Sequence, residues 1–267
     1  MNKIIHSLYI CIVTLFVLSG CTDEEVVSLQ EDITPSLVEI RLTGASGSVE
    51  EVNVNIQSIS VNTSNGDEDN WEELTLLGNG PYNLLTLKNG HDTLLVSQEF
   101  HPSSIKQIKV ELGNNNSITK GGVSHKLTFP TEELHTIIIE RSDNLLSDYR
   151  YRLWINISAM CSIVETSTGE YQLRPVVRAY TDQTGVIQGI ISPAKAGITV
   201  WAILGTDSAR TMTDNEGFYR IPGLKPDPSW KLFFDVHENS GYKNQTVTDI
   251  SIETGVTSIL DVVDLTD

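Results

Sequence analysis

Cysteine, basic residues and helical periodicity are all scarce in this chain, and each scarcity excludes a class of protein. Three cysteines occur in 267 residues, and two of them, Cys11 and Cys21, fall near the amino terminus. Cys161 is then alone in the body of the chain, so an internal disulfide is excluded there. The usual thiolate metal sites go with it, because they take several cysteines or cysteine–histidine pairs. Cys161 follows the alternating stretch 151–157 and is expected to be a buried structural thiol, not a nucleophile. Lysine and arginine total 18 against 35 aspartates and glutamates, a formal charge of −17. That balance repels nucleic-acid phosphate and anionic headgroups, so no nucleic-acid partner is expected. No window keeps apolar residues at i, i+3, i+4 and i+7, the spacing of an amphipathic helix. Catalytic signatures are missing as well. His91, His101, His125, His135 and His237 form neither HxH nor HExxH, and there is no GxSxG elbow, phosphate loop or GxGxxG. No catalytic residue, no metal ligand and no cofactor site is nominated, and the expectation is a protein that is not an enzyme.

What the chain does have begins at its first residues. Lys3 is followed by a mostly apolar run from Ile4 to Leu18. The run is shorter than the ~20 residues that span a bilayer, so a secretory signal peptide is expected over 1–20. Its end, Leu18-Ser19-Gly20-Cys21, resembles the lipobox read by the lipoprotein signal peptidase. The resemblance implies cleavage before Cys21 and lipid, of palmitate type, on its thiol and freed amine. Two or more acyl chains anchor stably, since each buried methylene contributes ~0.8 kcal/mol. The next residues are Thr22, Asp23, Glu24 and Glu25. The acidic run Asp23-Glu24-Glu25 resembles the surface-export signal of Bacteroidetes-type lipoproteins. The expectation is an outer-membrane lipoprotein facing the cell exterior, with residues 21–34 as lipidated cysteine and polar tether.

The rest of the chain alternates. Val52, Val54 and Ile56; Ile108, Val110 and Leu112; Leu153, Ile155 and Ile157; Ile198, Val200, Ala202 and Leu204; and Leu232, Phe234 and Val236 each repeat with period two. Turn-forming clusters separate them, at 62–70, 78–81, 88–90, 113–116, 121–122 and 214–217. Short alternating strands with such punctuation predict an all-β fold of two sandwich-like domains in tandem. Between Ile56 and Ile59-Val61 the alternation changes phase, which predicts a β-bulge. The polar segment 181–185 divides a first domain, 35–180, from a second, 185–267.

Each half resembles a known family. The ordered series 52–56, then Trp71 with Leu74 and Leu76, then 82–90, then 105–110 resembles domain of unknown function 4382 over about 36–140. His101-Pro102-Ser103-Ser104 departs from the small-residue turn usual there. The resemblance implies fold and compartment and carries no agreed activity. The second half resembles the carboxypeptidase regulatory-like domain, a small seven-stranded sandwich of prealbumin type. The matching residues are 185–191, 198–202, 211–221 and Gly223-Leu224; Pro226 and Pro228 imply a longer loop. In that family the module is structural or a spacer. Within it, Asp214 is expected to cap backbone amides of a hairpin turn, Gly217 to take positive φ, and Phe218 to anchor the core.

Two clusters invite a binding role. Asp67, Glu68, Asp69, Glu72 and Glu73 supply the oxygens calcium takes, and Asp67 and Asp69 are its weak candidates. Their spacing departs from the calcium-loop template, so a solvated acidic loop is expected. Of the four tryptophans, Trp154 and Trp201 sit inside alternating strands and are expected to be buried. Trp71 follows a polar loop and Trp230 follows Pro-Ser, so these two are the candidates for stacking on sugar rings. The expectation is a lipid-anchored, non-enzymatic binding or structural protein with an unidentified protein or glycan ligand. The alternatives are glycan capture for a nutrient-uptake system, or a pilus-like subunit whose exchangeable strand lies in 250–265.

Overall fold

The computed structural model describes residues 34–44, 49–63, 70–101, 104–195, 197–236 and 241–266. The lipidation and export residues Cys21, Asp23, Glu24 and Glu25 lie outside them, as do Asp67, Asp69 and His237. The fold is all-β, and the described strands form five sheets.

The sheet that positions the site is built on the strand Ser36–Gly44. It pairs parallel with Arg150–Ile157 on one side and antiparallel with Thr93–Phe100 on the other, and Val177–Thr181 extends the sheet beyond Arg150–Ile157. Period-two geometry sends alternate side chains to opposite faces. One face carries Val38, Ile40, Leu42, Leu153, Ile155 and Ile157, all buried in the first apolar core. Each such side chain contributes roughly 1.5–3 kcal/mol on removal from water. The other face is polar: Glu39, Arg41 and Thr43 on the central strand, Arg152 and Trp154 beside them, Tyr180 beyond. Glu39 and Thr43 are nonetheless buried, Glu39 among Arg41, Arg150 and Arg152, and Thr43 with its hydroxyl donating to the Leu87 and His91 carbonyls.

The remaining strands of the first half make two more sheets. Thr136–Asn144, Ser104–Leu112, Ile56–Asn62 and Trp71–Leu74 form one of four strands. The other has six, with Glu51–Val54 near its end. The expected bulge is there. Ile56 pairs with Leu112 and Ser58 with Glu111, so Gln57 is the inserted residue. The chain also changes sheet at this point, and the Asn116 side chain holds the Asn55 backbone amide at 2.8 Å.

From Gly185 onward, two sheets face each other. Gly185–Ser192 lies between Phe218–Leu224 and the short strand Thr257–Ile259, with Val263–Asp264 also pairing to it. Opposite stand Asp207–Met212, Thr199–Leu204, Asp227–Asp235 and Gln245–Ile252 in that order. A second apolar core fills the space between them, and Ile187, Val200, Ile221, Leu232 and Phe234 are among its members. Both cores belong to one compact unit spanning Ile33–Asp267.

The turn at 214–217 has the expected chemistry. Asp214 Oδ1 accepts from the amides of Glu216 at 3.1 Å and Phe218 at 2.9 Å, and Gly217 has φ +74°. Phe218 is not the core anchor. It is only half-buried, and Tyr219 and Ile221 fill the interior instead. Phe218 and Ile221 are three apart, so on a strand they face opposite ways, and only one can point inward.

Candidate functional site: a cleft between the two β cores

The second half meets this face along the Val177–Thr181 edge, where Tyr180 packs on Gly223. At the seam lies a cleft of about 280 Å³, lined from the first half by Thr43, Asn89, Asp92, Trp154 and Tyr180, and from the second by Arg220 among others. Strand register builds its wall. Arg41 pairs with Trp154 and Trp154 with Tyr180, so the three stand in a row across the sheet. The Trp154 and Tyr180 rings stack with centroids 5.7 Å apart and planes 7° from parallel. Asp92, in the loop before Thr93–Phe100, fixes the row. Its Oδ2 accepts from Trp154 Nε1 at 2.7 Å and its Oδ1 from Arg41 Nε at 3.0 Å. A carboxylate with both oxygens so engaged orients the indole; it is poorly placed to move protons.

Burial pushes the Tyr180 phenol above the usual tyrosine range; nearby Arg220 opposes the shift and Asp92 adds to it. Burial lowers the Arg220 guanidinium, partly offset by Tyr180. Across the seam, Asn89 donates to Asp214 Oδ2 at 2.8 Å, and Arg178 donates to the carbonyl of Gly223 at 3.2 Å. The residues of the 214–217 turn and of the Lys88-Asn89-Gly90 turn therefore meet. Such a cleft can hold a small ligand against an aromatic wall and hydrogen-bond it from several sides.

The tryptophans fall otherwise than expected. Trp230 is fully buried, with its Nε1 donating to the Lys225 carbonyl at 2.9 Å, so it offers no face for stacking. Trp154 and Trp201 are half-buried rather than interior. The signal was in the sequence: Trp230 is in phase with the core residues Leu232 and Phe234. Trp154 is out of phase with Leu153 and Ile155, and Trp201 with Val200 and Ala202. Trp71 is half-exposed at the start of Trp71–Leu74, under the Lys109 ammonium at 4.8 Å and away from the cleft. Cys161 is half-buried, and its Sγ accepts from Arg210 Nε at 2.8 Å. Among the described residues, no three of histidine, cysteine, aspartate and glutamate gather as metal ligands do, and no helix is long and apolar enough to cross a membrane. In 250–265, Ile250, Ile252 and Leu265 are built into the second core.

Fold and cleft together define an all-β protein with a recess of about 280 Å³ where its two cores adjoin. Residues 36–175 match the family described as Domain of unknown function (DUF4382), and the chain belongs to that family. The match takes in the strand that carries Trp154. No protein of curated function is similar to the chain. Among solved structures, the shaft pilin SpaA from Lactobacillus rhamnosus GG is 9% identical, over 88% of this chain and 99% of its own, with a TM-score of 0.22. The Bacillus anthracis TIE protein is 11% identical, over 84% and 38%, with a TM-score of 0.23. A streptococcal ancillary pilin is 9% identical, over 86% and 63%, with a TM-score of 0.20. At such scores the likeness extends no further than an all-β make-up.

Proposed function

We propose that this protein is a lipid-anchored, surface-displayed binding protein that holds its ligand in the cleft between its two β cores without transforming it. The anchoring part rests on Leu18-Ser19-Gly20-Cys21, and the outward display on Asp23-Glu24-Glu25. The second half, 185–267, serves in this reading as the regulatory-like module that closes one side of the cleft. The single observation that carries the binding role is the recess itself. Its indole is oriented by Asp92, itself paired with Arg41, and the Tyr180 ring stacks on the indole. A stacked indole and phenol flanked by amide, hydroxyl and carboxylate groups suit a sugar ring, whose faces are apolar and whose edges are polar. Glycan capture for uptake is therefore favoured over a pilus-like role.

The test is a glycan array probed with the full chain and with Trp154→Ala. Selective binding that Trp154→Ala abolishes, while the variant melts as the parent does, supports the reading. Binding that survives Trp154→Ala but is lost in Trp71→Ala would move the site to Trp71, the stacking candidate left by the sequence.

A further inference from the structure

Beside the cleft, and sharing Gly44, Tyr180 and Arg220 with it, is a smaller hollow of about 30 Å³. It is too small for a ring, but at two to three times the ~10–15 Å³ that a single water needs it takes a group of a few atoms. Three arginines line it: Arg178 from the first half, Arg210 and Arg220 from the second. This gathering of one sign is notable in a chain of net charge −17.

Of the carboxylates near the seam, Asp214 is held by Asn89 and backbone amides, and three others are taken by cations. Asp92 pairs with Arg41 at 3.0 Å, Asp182 with Arg152 at 4.0 Å, and Asp207 with Lys225 at 3.5 Å. Among the described residues, none of the three hollow-lining arginines has an ion-pair partner within reach, although Asp207 acts on Arg178 through space. Their heads are instead fixed by neutral groups. Arg178 donates to the Gly223 carbonyl, Arg220 to Gln188 Oε1, and Arg210 to Cys161 Sγ while its plane lies over Trp201 at 4.7 Å. Neutral acceptors orient a guanidinium without compensating its charge. Burial disfavours the charged form of Arg178 and Arg220, so an anion arriving there meets half-desolvated, preoriented donors. The guanidinium fork matches carboxylate and sulfate oxygens.

We infer that the ligand is an acidic sugar, its ring lying in the main cleft beside Trp154 and Tyr180 and its carboxylate or sulfate group entering the hollow between Arg178, Arg210 and Arg220. This rests on the cleft being the ligand site, and adds the chemical class of what it takes.

The experiment is calorimetric titration of the full chain, in detergent, with three versions of one disaccharide: ending in glucose, in glucuronate, or in glucose 6-sulfate. The acidic sugars should bind about tenfold tighter or more than the neutral one, as charge-assisted hydrogen bonds allow. Arg210→Gln, at an exposed position that lines only the hollow, should erase that preference while leaving the neutral sugar's affinity unchanged. Arg220→Gln, which lines the main cleft as well, is the second variant and should weaken the acidic sugars more than the neutral one. The better of carboxylate and sulfate then identifies the acid group. Equal affinity for neutral and acidic sugars, unmoved by either substitution, overturns the acidic-ligand inference and leaves the cleft as a neutral sugar site. No heat from any of the three, in a chain that melts cooperatively, overturns the inference and the saccharide reading of the cleft together.

Discussion

Tyr180 packs so closely onto Gly223 that a Cβ on the glycine would stand 2.7 Å from the tyrosine Cδ1. Gly223 also has φ +75°, a conformation that residues with side chains rarely adopt. Its carbonyl accepts from Arg178. One bare residue thus lets the second half approach the aromatic wall of the first. Gly223→Ala combines backbone strain with overpacking, and should cost about 1–3 kcal/mol. Because two apolar cores lie on either side of this seam, we propose that 185–267 folds alone. In that case Gly223→Ala should speed proteolysis at 181–185 in the full chain while the fragment 185–267 still melts cooperatively. A non-cooperative fragment would mean the second core depends on the first.

Tyr219 is the anchor of the second core, fully buried and edge-on to Phe234 with centroids 5.4 Å apart. Its hydroxyl has no hydrogen-bond partner among the described residues. Tyr219→Ala should destabilise by ~3–5 kcal/mol, whereas Tyr219→Phe, which removes an unpaired polar atom, should be neutral or stabilising. Phe218→Ala should cost less than Tyr219→Ala. Chemical denaturation of the three variants checks the order; a larger loss at Phe218 would contradict the strand's phase.

Burial holds Tyr151, Tyr180 and Tyr219 above the usual tyrosine range; beside Tyr151, the Asp143 carboxylate adds to the effect. The unfolded chain loses these protons as pH passes ~10, while the fold keeps them. Above that pH the unfolded state binds fewer protons, so stability is complete below about pH 10 and falls as pH rises beyond it. Absorbance titration should show these three phenols ionising only with unfolding, after the exposed ones. Early ionisation of all tyrosines in a chain still folded would contradict the burial of these rings.

Much of this architecture was legible in alternation alone. The apolar positions 153, 155 and 157, the phase change before Ile59 and the Asp214 turn all follow from local rules of strand and turn, and appear where those rules put them. The cleft was not legible, because it is made by residues far apart in sequence: Asp92, Trp154, Tyr180 and Arg220 meet only through a parallel pairing and the docking of two halves. Half of the signal was nevertheless present. Trp154 stands out of phase with its apolar neighbours, so alternation alone places its ring on the polar face of the sheet with Arg41 and Arg152. The ion pairing that leaves three arginines uncompensated depends on which carboxylates lie near, and no local pattern encodes that.

If lipid is carried on Cys21, Cys21→Ser should abolish labelling by a palmitate analogue and leave the precursor uncut after Gly20. Replacing Asp23-Glu24-Glu25 by alanines should protect the protein from protease added to intact cells, at unchanged expression. Persistent labelling of Cys21→Ser would remove the anchor from the account.

Ligand bound beside Trp154 would register in the indole N–H resonances of the nitrogen-15-labelled chain. Trp154 lines the cleft, Trp201 lies beneath Arg210, Trp71 is remote beside Lys109, and Trp230 is sealed in the core. Adding the glucuronate-terminated disaccharide should move the Trp154 signal, with a smaller change at Trp201, and leave Trp71 and Trp230 in place. A shift at Trp71 with Trp154 unmoved would contradict the account.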